Sequence, residues 1–338
     1  MARHSAVVVG AGGISGAWFP PLLKEKVEIR AIVDLRLETA KARAEQYGVT
    51  CDISTDLKAT LVKHKPDFVV DLTVPEAHCA VTCAALEAGC HVIGEKPMAS
   101  SMAEARKMVR TAEKTGKLYM VSQSRRWEAR HEIVKRVVTG GRIGTPTAVN
   151  CDFYIGAHFG GFRDEMPSPL ILDMSIHHFD LARYMAGLDP VAVYAKEFNP
   201  KGSWYKGDVA ASCIFEMSDG VIFTYRGSWC AEGCHTSWNG NWRFIGDKGT
   251  LICENDQTPH GQALAGNTGF HRPMKDVAIP AARVKFGGMH GALREMLAFL
   301  KTGKKPQTEC HDNIKSLAMV FAAIESSRKG KRVTISAD

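Results

Sequence analysis

Short apolar runs alternate with segments of helical period through the first 125 residues. Residues 6–9 (Ala-Val-Val-Val) read as a buried strand and 28–34 as a second. One helix is expected between them, shortened or kinked at Pro20-Pro21, because proline gives a helix no amide hydrogen. Residues 37–47 predict a helix stopped by Gly48, 68–72 a strand, and 76–88 a helix stopped by Gly89. A strand follows at 91–94, a helix at 102–115 stopped by Gly116, and a strand at 118–121. Strands alternating with helices of this length imply βαβ units and a parallel sheet.

The texture then changes. From Thr147 to about Ile252 the runs are longer and alternate: 148–154, 191–198, 210–216, 221–228 and 241–245. Such alternation suits an antiparallel sheet with one covered face and one open face. Ser218-Asp219-Gly220 reads as a hairpin turn between two of the runs. Residues 255–285 are rich in Gly, Pro, His and Asn without periodicity and read as a long loop. Helical periodicity returns at 291–300 and 313–327.

Length and composition narrow the class. The 338 residues suit two domains, and 45% apolar with 23% charged residues is ordinary for a globular chain. No apolar run approaches the roughly 18 residues needed to span a bilayer, so no membrane partner is expected. Met1-Ala2-Arg3-His4-Ser5 leads into an apolar run too short for a signal-peptide core, which points to the cytoplasm. The ten cysteines follow no disulfide spacing and read as reduced thiols. Cys230-Ala-Glu-Gly-Cys234-His235 lacks a second ligand pair, so no metal site is expected. The net charge of +7 is scattered and gives no nucleic-acid footprint.

The chemistry begins at Gly10-Ala11-Gly12-Gly13-Ile14-Ser15-Gly16, which follows a strand and opens a helix. Gly10 allows a tight turn, Gly12 lets backbone approach a pyrophosphate, and the helix N-terminus attracts phosphate. Ser15 stands where Gly or Ala usually packs helix on strand. Asp34 ends the second predicted strand, where an acid accepts hydrogen bonds from the adenine ribose and repels a 2′-phosphate. NAD is therefore the expected cofactor, with NADP the weaker alternative because Arg36 stands nearby. This is the pattern of a Rossmann domain, placed at 1–124, with an α+β domain at 125–338 whose C-terminal helices can pack back on the first.

Three further segments stand out: Thr73-Val74-Pro75-Glu76-Ala77-His78 and Gly94-Glu95-Lys96-Pro97 at strand ends, and Asp173-Met-Ser-Ile-His177-His178-Phe-Asp180. With the glycine turn, this set resembles the Gfo/Idh/MocA oxidoreductases, the glucose–fructose oxidoreductase and inositol dehydrogenase type, over nearly the full length. The resemblance implies an α/β chain: a Rossmann domain followed by a domain with a large, mostly antiparallel, open-faced sheet. That sheet would carry the substrate on one face and often a homodimer or homotetramer contact on the other. It also implies that Lys96 corresponds to the lysine of the family's EKP motif, and Asp173 and His177 to its second acid/base pair. Three departures stand beside it: Ser175 replaces the usual Gly between Asp173 and His177, Met166-Pro-Ser-Pro-Leu-Ile-Leu172 replaces a glycine-rich run, and Gln123-Ser124-Arg125-Arg126 replaces Asn-x-Arg.

The residues make chemical sense of their own. Oxidising a secondary alcohol needs a base for the hydroxyl proton and a group that steadies charge on the oxygen. Lys96 suits either task, and an imidazole such as His177 titrates near neutrality. Asp173, His177 and Asp180 stand at i, i+4 and i+7, which predicts one shared helix face. The expected cofactor contacts are Gly10, Gly12, Gly13, Ile14, Asp34, Arg36, Thr73, Pro75, His78, Glu95 and Lys96. The expected substrate contacts are Lys96, Arg126, Trp127, Tyr154, His158, Arg163, Asp173 and His177. The substrate implied by the resemblance is a small sugar, cyclitol or derivative. Three other readings stay open: a glycosidase using NAD transiently, an NADP-linked reductase, and a non-catalytic sensor.

Overall fold

A computed structural model describes residues 4–337. They divide into two compact units, which are described separately. The first comprises 4–127, 285–317 and 337, and the second 128–284 and 318–336.

The first unit alternates β1 (Ser5–Val9), α1 (Ser15–Lys24), β2 (Glu28–Val33), α2 (Leu37–Tyr47), β3 (Asp52–Ser54), α3 (Leu57–His64), β4 (Phe68–Asp71), α4 (Pro75–Glu87), β5 (His91–Gly94), α5 (Met102–Thr115) and β6 (Tyr119–Val121). The strands form one parallel sheet ordered β3-β2-β1-β4-β5-β6. Order reverses beside β1, so the carboxyl ends of β1 and β4 open a crevice of the kind that receives ligands. Ala6, Val7, Val8, Val69 and Val70 are fully buried, as near-continuous apolar strands covered on both faces should be.

Two parts of this unit differ from the sequence reading. Helix α1 is continuous through Pro20 and Pro21. Pro20 cannot donate to the Gly16 carbonyl, and the Tyr47 hydroxyl does so instead at 3.0 Å. The pair β3–α3 was not foreseen. The strand has only three residues, and the helix is set by Asp56, whose carboxylate accepts from the Ala59 amide. The C-terminal segment adds a helix at Gly288–Thr302, named α9 below, whose Ala292, Leu293 and Met296 join the core around Trp18 and Phe19. His290 and Arg294 both bond the Glu25 carboxylate just past α1.

The second unit contains α6 (Ala129–Val138), β7 (Pro146–Tyr154), α7 (Phe162–Glu165), α8 (Ile176–Ala186), β8 (Pro190–Phe198), β9 (Ala210–Met217), β10 (Ile222–Ser228), β11 (Asn241–Gly246), β12 (Gly249–Cys253), β13 (His260–Leu264), β14 (Met274–Asp276), the later part of α10 (Cys310–Lys329) and β15 (Val333–Thr334), with α9 preceding α10 in the chain. Its nine-stranded sheet runs β14-β13-β12-β11-β7-β10-β9-β8-β15. Every pairing is antiparallel except β7 with β10, which is parallel and makes the sheet mixed. The expected hairpin turn joins β9 to β10, with Asp219 and Gly220 both at positive φ. One sheet face buries Phe153, Phe215, Phe223, Tyr225 and Phe244, and α8 seats Phe179 on it, 4.7 Å from Phe215 and 5.2 Å from Tyr225 between ring centres.

Residues 255–285 are not the uniform loop expected, because they hold β13 and β14. Both are short strands near the sheet edge, and β14 is wholly exposed, so no apolar alternation marks them. The face shared by Asp173, His177 and Asp180 is also corrected. Leu170–Ser175 is a π-helix, and α8 starts only at Ile176. The wider turn breaks the 3.6-residue phase between Asp173 and the helix, leaving Asp180 buried while Asp173 and His177 stay half-buried.

Candidate active site

The glycine turn is shaped by what surrounds it. Gly10 has φ +94°, and a Cβ there would lie 2.7 Å from the Leu72 carbonyl oxygen. Gly12 and Gly13 face open space. No side chain caps α1, and among the described residues no acceptor meets the amides of Gly12, Gly13 and Ile14. Ser15 is fully buried and its hydroxyl donates to the Gly12 carbonyl at 2.6 Å. It therefore fastens the turn instead of disturbing it.

Asp34 stands one residue past β2. Its carboxylate accepts from the Ala11 amide at 2.8 Å and the Arg36 amide at 2.9 Å. Arg43, which the sequence did not single out, donates to the Ala11 and Gly12 carbonyls and lies along the turn. This open, uncapped helix end with a flanking carboxylate fits a dinucleotide.

The ends of β4 and β5 carry a buried polar network. Asp71 is fully buried and accepts from the Thr73 amide and hydroxyl (3.1 and 2.6 Å) and from the Thr82 hydroxyl (3.2 Å). His78 Nδ1 lies 3.1 Å from the same carboxylate. The Thr73 hydroxyl, which donates to Asp71, also meets His78 Nδ1 at 3.2 Å. Pro75 opens α4, where its missing amide hydrogen costs nothing. Asp71 went unnoticed in the sequence, where an acid inside an apolar strand gives no periodic signal.

Glu95 is buried, which pushes its carboxyl pKa upward. It accepts from Trp18 Nε1 at 2.7 Å and from the Lys96 amide at 3.2 Å. The backbone of Lys96 is thus held at the carboxyl end of β5, its side chain half-buried, and the Lys96–Pro97 bond is cis.

Arg126 and Trp127, expected at the substrate, are placed otherwise. They are 4% and 6% exposed. Arg126 donates to the Gln307 carbonyl at 2.9 Å and pairs with Asp312 at 2.8 Å. Trp127 belongs to the core, where Gly291 leaves it room. Both fasten residues 285–317 to the sheet.

In the second unit, Arg163 Nε donates to Asp173 Oδ2 at 2.7 Å. The same guanidinium lies over the rings of Phe159 and Phe162, at 4.9 and 4.7 Å. His158 stacks on Trp204 with centres 3.6 Å apart and meets Glu232 at 2.7 Å. Phe159, Phe162 and Trp238 leave large exposed faces beside this cluster. Tyr154 does not join it. It continues the alternation of Asn150 and Asp152 on the open sheet face, one position out of phase with buried Phe153. His178 is fully buried among Phe153 and Tyr225, a packing histidine.

The comparisons with known proteins agree with this architecture. A family described as "Oxidoreductase family, NAD-binding Rossmann fold" matches residues 4–123. The "GFO/IDH/MocA C-terminal domain" matches 131–252. The chain belongs to the Gfo/Idh/MocA oxidoreductases. Among its relatives, the D-apiose dehydrogenase of Paraburkholderia graminis is 26% identical over 91% of this chain and 83% of that protein. The fold is shared with an oxidoreductase from Agrobacterium radiobacter solved with NAD+, L-tartaric acid and magnesium, at TM-score 0.85 and 23% identity over 98% of both chains. It is shared too with a Desulfitobacterium hafniense structure described as an NADPH-dependent oxidoreductase, at TM-score 0.86 and 16% identity over 99% of this chain and 98% of that one. Among the described residues, no helix of this family member is long and apolar enough to cross a membrane.

Proposed function

We propose that this chain is an NAD-dependent dehydrogenase acting on a secondary alcohol of a sugar, cyclitol or sugar derivative, or on the matching ketone. The observation that carries the reading is Lys96, held by buried Glu95 at the end of β5 in a sheet whose β1 end is an open dinucleotide turn. The named activity of the apiose dehydrogenase supports the sugar class. The first unit would take the cofactor and the second the substrate.

Gly10, Gly12, Gly13 and Ile14 would receive the pyrophosphate on their amides, and Asp34 the adenine ribose. With Asp34 already accepting two amides, its carboxylate is fixed where a 2′-phosphate would be repelled, which favours NAD. Arg36 and Arg43 flank that position. Thr73, Pro75 and His78 shape the β4 end. Bound NAD supplies the hydride acceptor. Lys96 steadies the substrate oxygen as its proton leaves, and His177 accepts that proton. Asp173, held by Arg163, orients a hydroxyl, and the aromatic faces of Phe159 and Phe162 receive the C–H face of a ring. His158 closes the same cluster.

A panel of sugars and cyclitols with NAD+, read at the absorbance of the reduced nicotinamide, tests this. A rise with at least one polyol is expected. Release of sugar or aglycone without cofactor reduction would instead identify a glycosidase, and activity confined to NADPH would identify a reductase.

A further inference from the structure

Far along the chain from the glycine turn, Glu309 just before α10 and Cys310 and His311 at its start bring three different metal-ligating chemistries in succession. Cys310 Sγ lies 3.6 Å from His311 Nδ1 and 3.8 Å from Glu309 Oε2, and the last two are 2.8 Å apart. Zinc bonds of about 2.3 Å to sulfur and about 2.0–2.1 Å to nitrogen and oxygen, at tetrahedral angles, separate sulfur from the lighter ligands by roughly 3.5–3.6 Å. Both sulfur edges of the observed triangle are close to that span. The nitrogen–oxygen edge needs to open by only a few tenths of an ångström, which a carboxylate rotation provides.

The surroundings suit the same use. The other ring nitrogen of His311, Nε2, meets Glu113 Oε1 on α5 at 2.9 Å. A carboxylate on the far nitrogen is the arrangement that fixes a metal-binding imidazole, and here it leaves Nδ1 turned toward the thiol and Glu309. The backbone is held as well: Glu309 bridges Met120 at the sheet, and its carbonyl accepts the amides of Asp312 and Asn313. Cys310 is 2% exposed, whereas the His311 side chain is 46% exposed. The triangle is thus closed on the protein side and open on the solvent side, beside a cleft of about 360 Å³ lined by Arg106, Arg110, Glu113, His311 and Lys315.

We propose that Glu309 Oε2, Cys310 Sγ and His311 Nδ1 form a binding site for one thiophilic divalent cation, zinc fitting best, with water in the fourth position. Three protein ligands and an open fourth position make the site exchangeable. On binding, the Cys310 thiol and the hydrogen bond between His311 Nδ1 and Glu309 each release a proton to solvent, and that hydrogen bond is replaced by two bonds to the metal. The Cys230–His235 segment offers no rival, because His235 Nε2 accepts from the Gly156 amide and Cys230 Sγ lies against Ser228.

The test is equilibrium dialysis of the chelator-stripped, full-length protein against micromolar zinc, with metal counted by emission spectroscopy. Cobalt substitution then reports on the ligands. Wild type should hold one zinc per chain and show a thiolate-to-cobalt charge-transfer band. Cys310→Ser should lose the band and at least tenfold in affinity. His311→Ala changes an exposed residue and should lose affinity comparably without risk to folding. Glu113→Gln should weaken binding about 10–100-fold while keeping the band. Wild type that retains no zinc would overturn the proposal, leaving His311 as a bridge between two carboxylates. So would zinc bound equally well by Cys310→Ser and His311→Ala.

Discussion

At the scale of single residues, the proposed chemistry rests on a few side chains whose surroundings limit what they can do. Lys96 is half-buried and held through its backbone by Glu95. Lys96→Ala should lower turnover by about 10²–10⁴-fold, the range for losing a positioned proton-transfer group, with binding of reduced cofactor by fluorescence titration unchanged. Near-normal turnover would remove Lys96 from the chemistry. Asp34 ties the Ala11 amide and, in the proposed function, would receive the adenine ribose. Asp34→Ala should therefore reduce the NAD-over-NADP preference in kcat/KM at least tenfold, since Arg36 and Arg43 would then face a 2′-phosphate without opposition. A wild-type enzyme equally active with NADP would contradict the role given to Asp34.

At the scale of elements, the π-helix Leu170–Ser175 and the loop before it are the most informative feature. Ser168 on that loop donates to buried Glu197 on β8 at 3.3 Å. Burial pushes the Glu197 carboxyl up to about 7 from its ordinary 4.5. The folded protein thus keeps a proton there that the unfolded chain releases. Stability should fall as pH rises from about 4.5 through 7, by at most about 3 kcal/mol. Glu197→Gln should abolish that slope, raising Tm at pH 8 relative to wild type while changing it little at pH 5. Equal Tm shifts at both pH values would show that Glu197 is not the titrating group.

The same scale shows what could be read in advance. Buried parallel strands are legible because both faces are apolar, and the turn at Gly10 because its neighbours demand glycine. Strands β13 and β14 escaped because strands near the sheet edge carry no apolar alternation. The persistence of α1 through two prolines depended on Tyr47, thirty-odd residues away, which no local pattern could reveal. Asp71 and Arg43 are meaningful only through tertiary partners. Tyr154 ends β7 on the open face, because one step along a strand from buried Phe153 reverses the face. Lys96, Asp173 and His177 were picked out by motif, and the π-helix shows that their spacing was not that of a regular α-helix.

At the scale of the molecule, the open face of the second sheet presents Tyr194 and Ile214, paired across β8 and β9 and each about half exposed, with Ile222 beside them on β10. Around them, Arg226 and Asp152 form a bidentate pair. An apolar patch with a charged rim on a long sheet face suits a symmetric contact between copies. We expect sedimentation to show a dimer or tetramer and Ile214→Glu to shift it toward monomer with the fold retained. A wild-type monomer would contradict this.

Hydride transfer between a polyol carbon and NAD is the reaction proposed for this chain. It is tested most directly with polyols carrying deuterium at their carbinol carbons, incubated with NAD+ and the enzyme, the reduced cofactor being weighed by mass spectrometry. Reduced cofactor one deuterium heavier is expected, formed about 10²–10⁴-fold more slowly by Lys96→Ala. Substrate turnover with unlabelled cofactor, or with no reduced cofactor at all, would contradict it.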